Sequence, residues 1–222
     1  MDLAMERRTA HQLVLETLRR AILTGRIPGG TRLVQADLAE QLKVSTTPVR
    51  EALRDLATEG LIKLDAHRGA EVKSLSRDEV SEIYRLRRIL EPEAMRLAVE
   101  HITDEELATA AAICARADDE RDTAAWVELN QRFHNVFITA TRSPRLAVIL
   151  QGLHDAAGMY VAATLTQGAD RRSEANREHR ELLDAVRRRD VQAAMELQLA
   201  HVKRTMELIE RAVGDIERPP GA

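Results

Sequence analysis

Four polar residues fall where helical periodicity calls for apolar ones. In the segment from Ala125 to Thr139, Glu128, Gln131, Arg132 and Asn135 form an outward face, and Trp126, Phe133 and Phe137 mark the opposite, buried one. At 100° per residue, Asn130 and His134 fall in the middle of that buried face. His179 lies among Ala175, Leu182, Leu183 and Val186, with Arg180, Glu181, Asp184 and Arg188 directed away. His201 shares a stripe with Ala194, Leu197 and Leu208. Any one core histidine is most simply hydrogen-bonded packing. Three together, with an asparagine one turn before the first, are costly to bury unless something accepts their lone pairs. A divalent metal is such an acceptor. Three imidazole nitrogens and one amide oxygen suit zinc, nickel, manganese or iron(II), with positions left open for a ligand. His154 also falls on a buried face and reads as core or pocket wall.

The elements that must position these residues announce themselves by their start signals. Ser76-Arg77-Asp78-Glu79 and Thr103-Asp104-Glu105-Glu106 each fit a capping box, so helices are expected from about residues 77 and 104. Asp122, Ser143 with Pro144, Ser173 and Asp190 supply further starts, and Ala-, Leu- and Arg-rich segments with few strand formers lie between them. The expectation for residues 76–215 is therefore an all-α six-helix bundle, followed by a disordered tail, 216–222, that carries Pro219, Pro220 and Gly221.

Residues 1–75 read differently. Leu38, Ala39 and Leu42 give one apolar edge, and Val49, Ala52, Leu53 and Leu56 give a second at helical spacing, with a tight break from Lys43 to Ser45 between them. Ser45 is placed to cap the second helix, and Pro48 falls in its first turn, where a missing N–H costs little. Such a start, with Thr46 and Thr47 beside it, offers free backbone donors and a positive dipole end to phosphate. Thr46, Arg50 and Arg54 share the face away from the core, and Arg50 is the side chain there able to make a bidentate contact to guanine. Strands are expected at Leu61 to Leu64 and Ala70 to Lys73, with His67, Arg68 and Gly69 at the turn between them, where a basic tip can reach a minor groove or phosphate. The whole is a winged helix-turn-helix, and the chain is mainly α.

Composition sets bounds on this reading. A chain of 222 residues fits two small domains. Its single cysteine, Cys114, permits no internal disulfide, and neither the amphipathic N-terminus nor any other stretch reads as membrane-spanning, so the expected location is cytoplasmic with no membrane partner. Residues 1–75 hold 12 Lys and Arg against 10 Asp and Glu, and residues 76–222 hold 21 against 26. A DNA-binding domain with so small an excess must lean on a few placed contacts and on doubling the site by dimerisation.

LAEQLKVSTT followed by PVREALRDLATEGLIKLDAHRGAEV resembles the N-terminal domain of the GntR family of bacterial transcription regulators, from about Leu13 to Val72. Ala36 and Thr46 stand where family members commonly carry basic residues, which bears on operator sequence rather than on fold. In residues 76–215 the series N130-QRFH, E178-H179, D190-VQAA and H201 resembles the FCD ligand-binding domain of the FadR subfamily, in its shorter VanR-like form. That resemblance implies Asn130, His134, His179 and His201 as metal ligands, with Asn where Asp is common. It also implies a small organic acid as effector, and Arg87 as the match to a recurrent family arginine able to clamp an anion.

The expected function is that of a ligand-responsive regulator, a repressor, binding a pseudo-palindromic DNA operator as a homodimer under control of an acid held at the metal. An alternative is a metal-dependent helical hydrolase or lyase with a DNA-binding-like appendage. It lacks a Glu or Asp general base on the ligand-bearing stripes. A third reading makes the metal purely structural and the bundle a dimerisation module.

Overall fold

The computed structural model describes residues 9–65, 69–74, 76–165 and 170–217. By contacts the chain separates into two compact units, Met1–Ser74 and Leu75–Ala222.

The first unit opens with α1 (Ala10–Leu23), started by a full capping box between Thr9 and Gln12. Its apolar stripe of Val14, Leu18 and Ile22 packs on α3. Arg19 of α1 pairs with Glu59 just past the end of α3, and His11 lies 2.8 Å from Asp55. After β1 (Arg32–Leu33) come α2 (Gln35–Leu42) and α3 (Thr46–Thr58), joined by a turn in which Lys43 takes a left-handed conformation, φ 55°. Val49, Ala52, Leu53 and Leu56 of α3 are buried, as their spacing requires. Gly60 follows at φ 73°, a conformation that favours glycine, and turns the chain into β2 (Ile62–Asp65) and then β3 (Gly69–Val72). The sheet is antiparallel in the order β1-β3-β2, with Leu64 opposite Ala70 and Leu33 also opposite Ala70. The sequence places both hairpin strands within one residue of where they lie. It gives no sign of β1, because two residues cannot show an alternating pattern. His67 and Arg68, expected at the wing tip, lie outside the described residues.

The second unit contains six helices among its described residues: α4 (Arg77–His101), α5 (Asp104–Asp119), α6 (Thr123–Ala140), α7 (Pro144–Thr164), α8 (Asp170–Arg187) and α9 (Val191–Glu217). Thr103 and Glu106 form the expected reciprocal cap on α5, and Asp122 accepts the Ala125 N–H at 2.9 Å to start α6. The cap on α4 is only half formed. Ser76 Oγ accepts from the Glu79 N–H, but the Glu79 carboxylate accepts instead from the Tyr160 hydroxyl at 2.9 Å, which fastens the first turn of α4 to α7. Ser173 does not start α8; it lies inside a helix already formed at Asp170. At the other end, α9 continues to Glu217, so residues 216 and 217 of the expected tail are helical, since a proline restricts only the residue just before it. Residues 218–222 lie outside the described residues.

The bundle is tied at its turns by arginines. Arg142 and Arg189 both take left-handed backbone conformations. Arg142 donates twice to Glu106 at 2.8 Å, and Arg189 donates to the carbonyls of Val99 and Ile102 at 2.7 and 2.8 Å, satisfying the C-terminal end of α4. One expectation is corrected here. By length and composition α7, 21 residues at mean hydropathy 1.3, is apolar enough to cross a membrane. In this fold it packs against α4, α6 and α9 and turns His154 into the interior, while Val148 and Ile149 remain exposed.

Candidate functional site

Five of the six described helices of the second unit contribute at least one polar side chain to a common centre. From α6 come Asn130 and His134, from α8 His179, from α9 His201, from α7 His154, and from α4 Tyr84, Arg87 and Glu91, all buried. The rings of His134, His179 and His201 form a near-equilateral triangle, with centroid separations of 5.1, 5.2 and 5.2 Å. One ring nitrogen from each lies within 4.8 Å of the other two. Phe133 stacks on His179 at 4.4 Å and fixes its plane.

The hydrogen bonding of these rings is incomplete in a specific way. The Nε2 atoms of His134 and His179 are buried without a partner. A buried polar atom left unpaired is destabilising, so two beside one another call for an acceptor of lone pairs. Burial, and then the charges of the neighbouring histidines, hold both imidazoles well below the ordinary histidine range, so both are neutral and their lone pairs free. His201 donates Nδ1–H to Glu178 Oε2 at 2.7 Å, which turns its other nitrogen toward the cluster. Asn130, one turn before His134 on α6, lines the same cavity as His134, His154, His201 and Arg87. The donor set is therefore imidazole nitrogen and amide oxygen, with no carboxylate in it, and it fits a divalent transition metal.

A second polar chain lies beside the histidines. Arg87 is not the exposed charge that its neighbours Arg85 and Arg88 are; it is 3% exposed, its guanidinium 4.6 Å over the Tyr84 ring, its Nε donating to Glu91 at 2.5 Å. Glu91 also bonds His154 Nε2 at 2.9 Å and accepts from Gln198. Burial alone would raise the Glu91 carboxyl, but Arg87 and His154 pull it well below the ordinary range and keep it ionised.

Glu91, Gln198 and Thr205 were not singled out by periodicity. On α9 the buried stripe runs through Ala194, Gln198, His201, Val202, Thr205 and Ile209, while Leu197 and Leu208, assigned to it from sequence, are half-buried. The expectation of no Glu or Asp on the ligand-bearing stripes is likewise corrected: Glu178 reaches His201 and is spent on it and on Arg204, whose Nε lies 3.2 Å away. Neither Glu91 nor Glu178 stands free to act as a general base.

In the first unit Ser45 occupies the N-cap of α3, yet its side chain makes no capping hydrogen bond. Ser45, Thr46, Thr47, Arg50 and Arg54 are exposed, and Gly69 begins β3 at φ 80°. The helix start and one flank of α3 thus present a hydroxyl-rich, twice-basic surface, with no ion pair to Arg50 or Arg54 among the described residues.

An amino-terminal winged helix-turn-helix followed by a domain with six helices among its described residues is the architecture of a DNA-binding transcription regulator. Residues 11–72 match the family of bacterial regulatory proteins named gntR, residues 82–204 match the FCD domain, and the chain belongs to the GntR family of transcription regulators. Among its relatives, the Nta operon transcriptional regulator of Aminobacter aminovorans is 31% identical, over 84% of this chain and 90% of that one. The HTH-type regulator YdhC of Bacillus subtilis is 29% identical, over 96% of each chain. McbR/YncC of E. coli shares the fold at a TM-score of 0.74 and 24% identity, covering 92% of this chain and 99% of that structure. The family consists of transcription regulators, and the hydrolase or lyase alternative falls with that assignment.

Proposed function

We propose that this chain is a repressor of the FadR subfamily, in its short form, which binds a pseudo-palindromic operator as a homodimer and responds to a small organic acid held at a metal in the helical unit. The observation that carries the reading is the pair of unpartnered, buried Nε2 atoms on His134 and His179 within the histidine triangle. Asn130, His134, His179 and His201 would hold the ion, which supplies a Lewis-acidic anchor for a carboxylate oxygen. Arg87 lines the same cavity and places a positive edge beside the bound acid. Relatives include a probable D-xylose utilization repressor 27% identical over 96% of this chain, which supports repression as the mode.

Dimerisation has its own support. Ile89 on α4 is 65% exposed and Val148 on α7 is 70% exposed, with Leu86 and Ile149 also exposed on these two mutually packed helices. Apolar side chains of this size in one region of a small domain mark a contact surface, and a second copy would supply the doubled half-site that a weakly charged reading domain needs. An acid that binds one arrangement of the dimer better than another would then alter the spacing of the two reading helices.

The test is a double variant, His134→Ala with His179→Ala. Zinc binding followed by dialysis should be lost, while affinity for a DNA duplex selected from a random pool stays at the wild-type level. Retention of stoichiometric zinc by the double variant would remove the metal reading.

A further inference from the structure

Beyond the histidines, the same cavity contains two buried groups with unused hydrogen-bonding capacity, and both are suited to an anion. Arg171 of α8 is 9% exposed; its Nη2 donates to Thr205 Oγ1 at 3.1 Å, but its Nη1 makes no hydrogen bond. The nearest carboxylates stand off, Glu178 at 3.9 Å and Glu174 at 4.0 Å. Tyr84 of α4 is fully buried, and its hydroxyl lies beside the Arg87 guanidinium without a well-aligned hydrogen bond. Burial raises the Tyr84 phenol above its ordinary value against the pull of Arg87 and Arg171, so it remains a donor. Arg87, by contrast, already has its Nε engaged by Glu91.

We propose that Arg171 and Tyr84 form a second acid-binding subsite, so that the effector is a small dicarboxylate with one carboxylate at the histidine-held metal and the other on Arg171 and Tyr84. This rests on the metal reading given above. Charge favours it. Arg87 is balanced by Glu91, and Glu178 is shared among His201, Arg204 and the more distant Arg171, so a ligand set without a carboxylate leaves the two positive charges of a divalent ion uncompensated in a buried site. A dianion neutralises them; a monocarboxylate leaves one charge buried and unpaired, which is costly.

Geometry favours it as well. Arg171 precedes His179 by eight residues on α8, about 12 Å along the axis. Its side chain returns toward Thr205, which lies one turn beyond His201 on α9. Glu178 Oε2 is at once 2.7 Å from His201 Nδ1 and 3.9 Å from Arg171 Nη1, so the guanidinium stands close to the ring that would hold the metal. A short aliphatic spacer is all that the two carboxylates need between them. Tyr84, Arg171, His134 and His201 all line one cavity, whose enclosed space of about 20 Å³ means that an acid entering it must push side chains apart.

The experiment compares succinate with butyrate, which share a chain length and differ in the second carboxylate, by calorimetric titration into zinc-loaded full-length protein. Wild type should bind succinate at least ~10-fold more tightly, the gap expected for a hydrogen-bonded charge in a buried site. Arg171→Met should bring the two acids within about 3-fold of each other, and Tyr84→Phe, which removes a single oxygen, should narrow the gap several-fold, both with zinc affinity unchanged. Should Arg171→Met fail to fold, Tyr84→Phe decides. Equal affinities in wild type, or an undiminished gap in the variants, with zinc bound in each case, overturn the subsite and leave the metal reading standing. A wild-type protein that binds no zinc overturns the metal reading and the subsite with it.

Discussion

Nδ1 of His201 lies 2.7 Å from Oε2 of Glu178, the residue next to His179, so one carboxylate on α8 orients an imidazole on α9. A histidine that donates one N–H to a carboxylate presents the other nitrogen as a fixed lone pair of raised basicity. Burial would raise the Glu178 carboxyl, but the hydrogen bond from His201 and the charges of Arg171 and Arg204 hold it below the ordinary range, in the ionised form this role requires. Glu178→Gln keeps the shape and removes the charge. Zinc affinity, measured by competition with a chromogenic chelator at pH 7.5, should fall ~10–100-fold. An unchanged affinity would mean that Glu178 serves packing alone.

The dimer reading makes a separate prediction. Ile89→Arg together with Val148→Glu places charges on the exposed apolar surface of α4 and α7 without touching the core side chains Ala94 and Leu150 beneath it. Each truncated apolar contact is worth roughly 1.5–3 kcal/mol, so the pair should weaken self-association ~100-fold or more by sedimentation equilibrium. Tight dimers from this variant would move the interface elsewhere.

Glu106 offers a check on the helical unit that is independent of any ligand. It accepts both hydrogen bonds from Arg142 and also caps α5, and the Arg142 interaction foremost, aided by the Thr103 N–H, holds its carboxyl below the ordinary value against the opposing effect of burial. Because the folded pKa is the depressed one, its contribution is present above the unfolded value of about 4.3 and is lost as pH falls through the folded value. Glu106→Gln retains the capping geometry and loses the charge. With Glu106 25% and Arg142 44% exposed, solvent screening limits the cost to about 0.5 kcal/mol at pH 7. Urea midpoints of wild type and variant should differ slightly at pH 7 and converge near pH 3.

Much of this architecture was legible in the residues, and where it was not the cause is physical. Start signals located five of the six helices of the second unit, because Ser76, Thr103, Asp122 and Asp190 cap within their own turns and Pro144 sits in the first turn of α7, although Ser143 makes no capping bond. Ser173 misled, since serine is tolerated on an exposed helix face as well as at a cap. The inward histidines were visible by periodicity because they interrupt apolar stripes. Glu91, Gln198, Arg171 and Thr205 were not, because a polar residue facing the interior looks like a surface residue until its partners, up to 107 positions away for Gln198 and Glu91, are brought together by packing. Arg87 shows the limit from the other side: sequence marked it as an anion clamp, and only the fold reveals Glu91 already at its Nε.

The reading of DNA by α3 is the remaining prediction. Arg50 is exposed on the first turns of the helix, just beyond the uncapped Ser45 and the free N–H groups of Thr46 and Thr47. If those amides and hydroxyls seat on phosphate, they fix the register and leave Arg50 to face a base edge. Arg50→Ala should then cost ~1–3 kcal/mol on the selected operator and relax the preference at one base pair in each half-site. Thr46→Lys should act differently, because a lysine beside the helix start adds a phosphate contact rather than a base contact. It should raise affinity for operator and random duplexes alike and steepen the salt dependence by about one counterion per protomer. Binding to operator and random DNA across a salt series separates the two outcomes. An Arg50→Ala loss spread equally over both duplexes would reassign Arg50 to the phosphate backbone.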